Sequence, residues 1–312
     1  MKILVVGAGA IGGYFGGRLL EAGCDVQFLV RPRRAQVLAD SGLVIRSAKG
    51  DFHHPHPPTV LATALRERAD VVLLSCKAYD LDDAVRSFAP AVRDGTVILP
   101  LLNGMAHIDV LDKRFGAAAV LGGLCVISTT LNERGEIVHV SDFARISFGE
   151  RSGARSERAA AIETAFSAAR FDLRLSDTIV QEMWEKWVFI ASMAGITCLL
   201  RATIGELVAA GGADLATTLV AECAAVAASY GFAPSESALR RNRAMLTDGA
   251  SPLTSSMHRD LERGGATEVE HLIGDLLRLG NARAIPTPLL RAAYVHLNAY
   301  ERRRVPGSRS LH

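Results

Sequence analysis

Short apolar runs alternate with helical patterns through the first half of the chain: Ile3 to Val6, Val26 to Val30, Val71 to Ser75, Val97 to Leu102 and Val120 to Ile127. That alternation predicts a parallel sheet joined by crossover helices. Leu43-Val44-Ile45-Arg46 and Asp51-Phe52-His53 flank Lys49-Gly50 and predict a small inserted hairpin, followed by a loop from His54 to Pro58. Asn132-Glu133-Arg134-Gly135 supplies turn chemistry between Val126-Ile127-Ser128 and Ile137-Val138-His139, so the sheet is expected to end in antiparallel strands.

After Asp177 the period changes to that of amphipathic helices, over Ile179 to Leu200, Asp214 to Tyr230, Ser235 to Leu246, Met257 to Arg263, Glu268 to Leu279 and Leu289 to Arg302. The pattern divides the chain into an α/β domain over 1–176 and an all-α domain over 177–312. The longest apolar run, Trp187 to Leu200, lies between Lys186 and Arg201. It falls short of the ~20 residues of a membrane-spanning helix and reads as a buried helix, so no membrane partner is expected. Lys2 to Gly7 is too quickly interrupted by glycine to form the apolar region of a signal peptide.

Composition agrees with this organisation. A chain of 312 residues exceeds the usual single core, and 49% hydrophobic and 22% charged residues describe an ordinary folded α/β protein. A net charge of +2 and a pI near 8.3 are too mild for a nucleic-acid surface, and Arg302-Arg303-Arg304 reads as a solvated basic helix end. The five cysteines, Cys24, Cys76, Cys125, Cys198 and Cys223, show no CxxC spacing. They fit a reducing, cytoplasmic compartment, with Cys76 and Cys125 as small packing residues in apolar runs. His53, His54 and His56 lie in a Pro-broken stretch without acidic or Cys partners at ligand spacing, so no metal is expected.

The chemistry begins at Gly7-Ala8-Gly9-Ala10-Ile11-Gly12, a G-x-G-x-x-G motif directly after a strand and opening a helix. Gly7 permits the tight turn, Gly9 lets backbone approach a pyrophosphate, Gly12 allows close helix packing, and the helix N-terminus stabilises phosphate charge. The fold class is therefore α/β, with an N-terminal Rossmann-type doubly wound sheet and a C-terminal all-α domain. About twenty residues on, where an NAD site places Asp or Glu, the strand ends Phe28-Leu29-Val30-Arg31. Arg31 points to NADP(H), through charge-assisted bonds to the 2′-phosphate, and Arg33 and Arg34 add positive potential. Lys77 and Asn103-Gly104-Met105 follow two further strands, at the edge where open α/β sheets bind ligands.

These residues, with Trp184-Glu185-Lys186, Ser255-Ser256-Met257, Asp260 and Thr267-Glu268, together resemble the ketopantoate reductases (2-dehydropantoate 2-reductases) over nearly the whole chain. The resemblance implies NADPH-dependent reduction of a small-molecule 2-oxo acid to a 2-hydroxy acid, as in pantothenate biosynthesis. It implies Lys186 as general acid, Glu268 as a second catalytic residue that anchors substrate and cofactor, and Ser256 as a substrate ligand. It places Asn103 near nicotinamide and substrate, and Arg31 and Lys77 on NADPH.

Independently of the resemblance, Lys186 shares a helix face with Ile190 and Ala194, where desolvation lowers a lysine's pKa toward the useful range and a carboxylate such as Glu268 opposes the shift. Read alone, Thr267 and Glu270 form a capping-box pattern after Gly264-Gly265, and Glu268 then simply complements a helix dipole. One departure bears on specificity. Where the family presents asparagines to ketopantoate, this chain has Ile190, Ala194, Ile204 and Leu253. A buried substrate hydroxyl left without a partner costs about 1–3 kcal/mol, so a more apolar 2-oxo acid or related carbonyl compound is an alternative substrate. A β-hydroxyacid or phosphosugar dehydrogenase fits the order of motifs less well, and a non-catalytic NADP-binding redox sensor is the alternative outside enzymology. The apolar helical half also admits a homodimer.

Overall fold

Parallel strands buried on both faces need near-continuous apolar sequence, and the first half of the chain supplies it. A computed structural model describes residues 1–304; the last residues of the expected 177–312 domain, 305–312, lie outside the described part. Strands β1 (Lys2–Val6) and β2 (Asp25–Leu29) are joined by helix α1 (Ala10–Glu21), and α2 (Pro32–Ser41) leads to β3 (Leu43–Arg46), β4 (Phe52–His54) and β5 (Thr59–Val60). Then come β6 (Val71–Leu74), α3 (Leu81–Phe88), β7 (Val97–Pro100), α4 (Ala106–Phe115), β8 (Gly122–Leu131), β9 (Ile137–Gly149), α5 (Glu157–Phe166) and β10 (Asp172–Leu175).

The first sheet has the order β5-β2-β1-β6-β7 and every pair in it is parallel. β1 is central, with β2 on one side and β6 on the other, so the connections diverge at its C-terminal end and leave the ligand-binding crevice of an open α/β sheet there.

Two strand expectations are corrected. Val120 to Ile127 does not extend the parallel sheet: β8 pairs antiparallel with β9 in a second sheet of order β10-β9-β3-β4, and an isolated bridge, Ile98 with Val120, is its link to the ladder of the first, against which Gly123 packs closely. The expected hairpin forms, from Leu43 opposite His54 to Ile45 opposite Phe52, so His54 is strand and not loop. β3 also pairs parallel with β9, which makes the hairpin part of the second sheet rather than a free insertion. Periodicity reports that a segment is a strand but carries no partner information. The β8–β9 turn forms where expected, with the Asn132 side-chain oxygen accepting from the backbone N–H of Arg134 and Glu136.

Helix α1 explains why both sheets belong to one core. A Cβ on Gly16 would lie 2.6 Å from Phe28 and 3.0 Å from Val5, whereas one on Gly13 would lie 2.5 Å from Ile137 and one on Gly17 2.7 Å from Ile45. Gly12 and Gly16 thus face the first sheet, and Gly13 and Gly17 face the second, each pair four residues apart on one helix face. A helix squeezed between two sheets has no solvent face, and the paired glycines let backbone approach from both sides.

The helical half comprises α6 (Ile179–Leu200), α7 (Ile204–Ala209), α8 (Ala213–Ser229), α9 (Glu236–Leu246), α10 (Ser256–Glu262), α11 (Asp275–Ala282) and α12 (Pro288–Arg304). α7 was not anticipated, although Thr203 and Glu206 make a reciprocal capping box, with Glu206 N–H on Thr203 Oγ1 and Thr203 N–H on Glu206 Oε2. Six residues are too few to show a period. α6 extends about two turns before the Trp187 run. By length and composition it suffices to cross a membrane, yet 61% of its apolar window is buried within the protein. Trp184 stacks on Phe232 at 5.4 Å and on Tyr230 at 6.0 Å, and the buried Glu222 carboxylate of α8 accepts the Leu289 and Leu290 N–H groups that open α12. That bond satisfies a buried charge and two orphan helix donors at once. The three arginines at 302–304 form the last turn of α12, as a basic helix end should. Two compact units emerge among the described residues, Met1–Leu102 with His107–Val180, and Asn103–Ala106 with the chain from Gln181 onward.

Candidate active site

The glycine turn sits at the C-terminal end of β1. Gly7 has φ +93°, and its N–H is held by the Leu29 carbonyl of β2 at 3.0 Å. A Cβ on Gly12 would stand 2.0 Å from the Gly7 carbonyl and 2.1 Å from Ser75 Oγ, so only glycine permits this helix-to-strand approach. Gly9 differs: a Cβ there meets nothing within 4 Å, and as N-cap of α1 it offers no side chain to the helix's first N–H groups. Open space in front of uncapped N–H donors at Ala10, Ile11 and Gly12 is what a pyrophosphate requires, so these residues fit a dinucleotide.

Two side chains brace this turn in a way that sequence reasoning did not anticipate. Ser75, at the end of β6, donates to the Val6 carbonyl at 3.0 Å and lies 3.3 Å from that of Gly7. Arg34, expected to add potential, instead donates from Nε to the Ala8 carbonyl at 2.8 Å and from Nη1 to the Gly135 carbonyl at 2.9 Å, and its burial pulls its pKa below the ordinary arginine value. Nothing in Arg31-Pro32-Arg33-Arg34 distinguishes the arginine that folds back onto the backbone from the other two. Lys77 immediately precedes the short Ala78–Asp80 turn, half-buried, one strand over from Gly7.

Arg31 caps α2 at the end of β2, with Pro32 as the first helical residue. Its Nη2 donates to Asp80 at 2.8 Å and to Asp83 at 3.0 Å. The Asp80 and Asp83 carboxylates hold its pKa above the ordinary arginine value.

In the helical unit, three of the expected site elements converge on Trp187. Lys186 lies half-buried on α6 beside it. The Trp187 indole N–H donates to the Leu272 carbonyl at 2.8 Å, and the Leu272 N–H in turn donates to the Glu268 carbonyl at 2.9 Å. The Asn103-Gly104 turn closes on the same tryptophan: Gly104 has φ +76°, and a Cβ on it would lie 2.9 Å from the His271 carbonyl and 3.8 Å from the indole. Gly104 therefore serves both a left-handed turn and a close approach, which side chains rarely tolerate.

The segment after Glu268 departs from the expected single helix. Glu270–Gly274 is a π turn before α11, a widening common at functional sites. The Thr267/Glu270 capping box does not form. Glu270 accepts from Tyr294 Oη at 2.8 Å and from Arg278 at 3.2 Å, and the Thr267 N–H goes to Glu301 at 2.6 Å. Distant partners on α11 and α12 outcompete the local cap.

The two serines before α10 are divided. Ser255 is buried, accepts from the His258 N–H at 2.9 Å as N-cap, and lies 3.1 Å from Thr197 Oγ1 of α6; Ser256, the first helical residue, is exposed. Along α6, Ile190 is half-buried and Ala194 is 1% exposed. Ile204 is fully buried, and its N–H donates to the Leu253 carbonyl at 3.0 Å. No group of three or more His, Cys, Asp or Glu side chains is placed to hold a metal ion among the described residues. All five cysteines are free thiols; Cys125 is buried as expected, but Cys76 is only half-buried.

Comparison with known proteins identifies the family. The chain is 40% identical over 303 residues to the uncharacterized oxidoreductase YkpB of Bacillus subtilis, covering 96% of this chain and 99% of that one. It is 27% identical over 314 residues to the 2-dehydropantoate 2-reductase of a Nostoc species, covering 98% and 97%. A crystal structure of 2-dehydropantoate 2-reductase from Geobacter metallireducens superposes with a TM-score of 0.87 at 27% identity, covering 96% of this chain and 99% of that one. Residues 3–153 match the model of ketopantoate reductase PanE/ApbA and residues 178–301 match that of its C-terminal part, so the chain belongs to the ketopantoate reductase PanE/ApbA family, oxidoreductases that use a nicotinamide cofactor.

Proposed function

We propose that this protein reduces a 2-oxo acid to the corresponding 2-hydroxy acid with NADPH, and that its substrate carries a more apolar side chain than ketopantoate. The observation that carries the reading is the convergence of the Asn103-Gly104 turn, the Lys186 helix and the Glu268 segment on Trp187.

Gly7, Gly9 and Gly12, with the N–H groups of Ala10 and Ile11, hold the pyrophosphate; Arg31 takes the 2′-phosphate and Lys77 a further cofactor contact. When bound, the reduced nicotinamide supplies a hydride to the carbonyl carbon. Lys186 donates the proton that the carbonyl oxygen needs as it becomes a hydroxyl, a contribution of ~10²–10⁴-fold for a positioned acid. Asn103 donates to substrate, Ser256 binds it from the exposed start of α10, and Glu268 anchors substrate and cofactor.

Specificity follows from what lies along the lysine's helix. Ile190 and Ala194 offer no hydrogen bond, and Ile204 is sealed in the core. A substrate with a terminal hydroxyl loses its water partners there without replacement, whereas an alkyl or aryl side chain gains from burial.

The test is NADPH oxidation across a panel of 2-oxo acids that includes ketopantoate and alkyl- and aryl-substituted members. Higher kcat/KM for the apolar members supports the reading, and preference for ketopantoate removes the specificity argument. NADPH binding without turnover of any 2-oxo acid would instead favour a redox sensor.

A further inference from the structure

The Arg31 guanidinium is already engaged. Asp80 closes the turn after β6 and Asp83 sits in the first turn of α3, while Arg31 stands at the end of β2. Because β2 and β6 flank β1, these bonds bridge the C-terminal edge of the sheet across the strand that carries the glycine turn. Both bonds use Nη2, so the opposite edge of the guanidinium, Nε and Nη1, is not committed to these carboxylates. Arg86 lies 3.5 Å from Asp83 and faces the same carboxylate.

Two negative charges within hydrogen-bond distance of the one cation assigned to the 2′-phosphate have a definite electrostatic consequence. They offset the attraction that distinguishes a phosphorylated dinucleotide, and they repel a dianionic phosphate more than a neutral hydroxyl. In an NAD site the ribose hydroxyl bonds a carboxylate at the position Arg31 holds here, and Asp80 and Asp83 bring carboxylates against that position from the neighbouring turn. The side chains of Arg31, Asp80 and Asp83 are 60%, 30% and 54% exposed, so water and salt temper these effects without abolishing them.

We infer that Asp80 and Asp83 are specificity-determining residues that restrain the preference Arg31 confers, so that the protein accepts NADH as well as NADPH. The inference rests on the proposed role of Arg31 and specifies how far that role extends.

The experiment is fluorescence titration of the full chain with NADPH and with NADH at low salt, which needs no knowledge of the carbonyl substrate. Asp80→Asn and Asp83→Asn keep shape and remove charge, and thermal melting checks that the fold persists. The double variant should tighten NADPH and leave NADH unchanged or weaker, widening the ratio of the two dissociation constants by about fivefold, within reach of partly exposed ion pairs. That widening should shrink as salt is raised. An unchanged or narrowed ratio in the double variant, with Arg31→Ala still losing NADPH selectively, overturns the inference and leaves the Arg31 assignment standing. Equal weakening of both cofactors, or of neither, in Arg31→Ala overturns the assignment itself, and the inference with it.

Discussion

The indole N–H of Trp187 donates to the carbonyl of Leu272 across 2.8 Å, joining the helix that carries the candidate acid to the π turn that follows Glu268. A wide turn shifts carbonyls out of the regular i to i+4 ladder, and a tryptophan that is 1% exposed needs a partner for its own N–H, so each satisfies the other. Trp187→Phe keeps a ring and deletes the donor. It is expected to lower stability by about 1–3 kcal/mol, the cost of an unpaired buried carbonyl. It should also reduce kcat more than it changes NADPH affinity, because the dinucleotide turn belongs to the other unit. Denaturant melts and steady-state kinetics check this, and equal losses in both parameters would indicate general unfolding.

The glycines of the dinucleotide motif should separate into two kinds. Gly9→Ala meets no neighbour within 4 Å and adopts an ordinary extended backbone, so the folded protein should melt at nearly the native temperature but bind NADPH poorly. Gly12→Ala drives a Cβ against the Gly7 carbonyl and Ser75, and overpacking of this kind typically costs ~1–3 kcal/mol. Melting curves and cofactor titration of both variants distinguish them. A large loss of stability in Gly9→Ala runs against this account.

Thiol chemistry gives a third test. Burial pushes the Cys198 and Cys223 thiols up to about 12, and Cys125 is also buried. Alkylation of the native protein near neutral pH should therefore modify Cys24 and Cys76 alone, with the other three reacting only after denaturation. Mass spectrometry of peptides reads the outcome directly, and rapid native labelling of Cys198 or Cys223 contradicts the packing described.

Stability should fall on acidification. Burial lowers the pKa of His139, His258 and His296, and His139 is further fixed by Ser47 Oγ at 2.9 Å and the Phe143 carbonyl at 3.0 Å. Below the ordinary histidine value, ~6.5, the unfolded chain binds more protons than the folded one. The stabilisation is thus complete above that value and lost as pH falls through it toward the folded pKa values. Melting temperatures across this range should drop, and more shallowly in His139→Gln. A melting temperature that rises on acidification contradicts this assignment.

Much of the first domain was legible because its determinants are local. Apolar runs marked the strands, and Gly7 to Gly12 marked the ligand edge through steric requirements that depend on neighbouring residues. Partners joined by a short turn were legible, as in the β3/β4 hairpin and the antiparallel pairing of Thr130 with Val138, but the separation of β8 and β9 into a second sheet was not, since the apolar run from Val120 reads as a continuation of the parallel one. The second pair of glycines on α1 carried the missing signal, since Gly13 and Gly17 have no role in holding phosphate and answer only to a second sheet. At the site, Lys186, Ser256, Glu268 and Asn103 stood out through the family pattern. The roles of Trp187, Arg34 and Ser75 did not, and Arg34 was read only as added charge, because each acts on a backbone carbonyl far away in sequence. Thr267 and Glu270 show the converse, a local capping pattern overridden by Glu301, Tyr294 and Arg278.

The central claim is that the Lys186 amine protonates the substrate carbonyl. Its most direct test is the kcat of Lys186→Ala with NADPH and the best 2-oxo acid of the panel, alongside the NADPH dissociation constant of the same variant. The account predicts a fall in kcat of ~10²–10⁴-fold with cofactor affinity nearly unchanged. Native turnover in Lys186→Ala would contradict it.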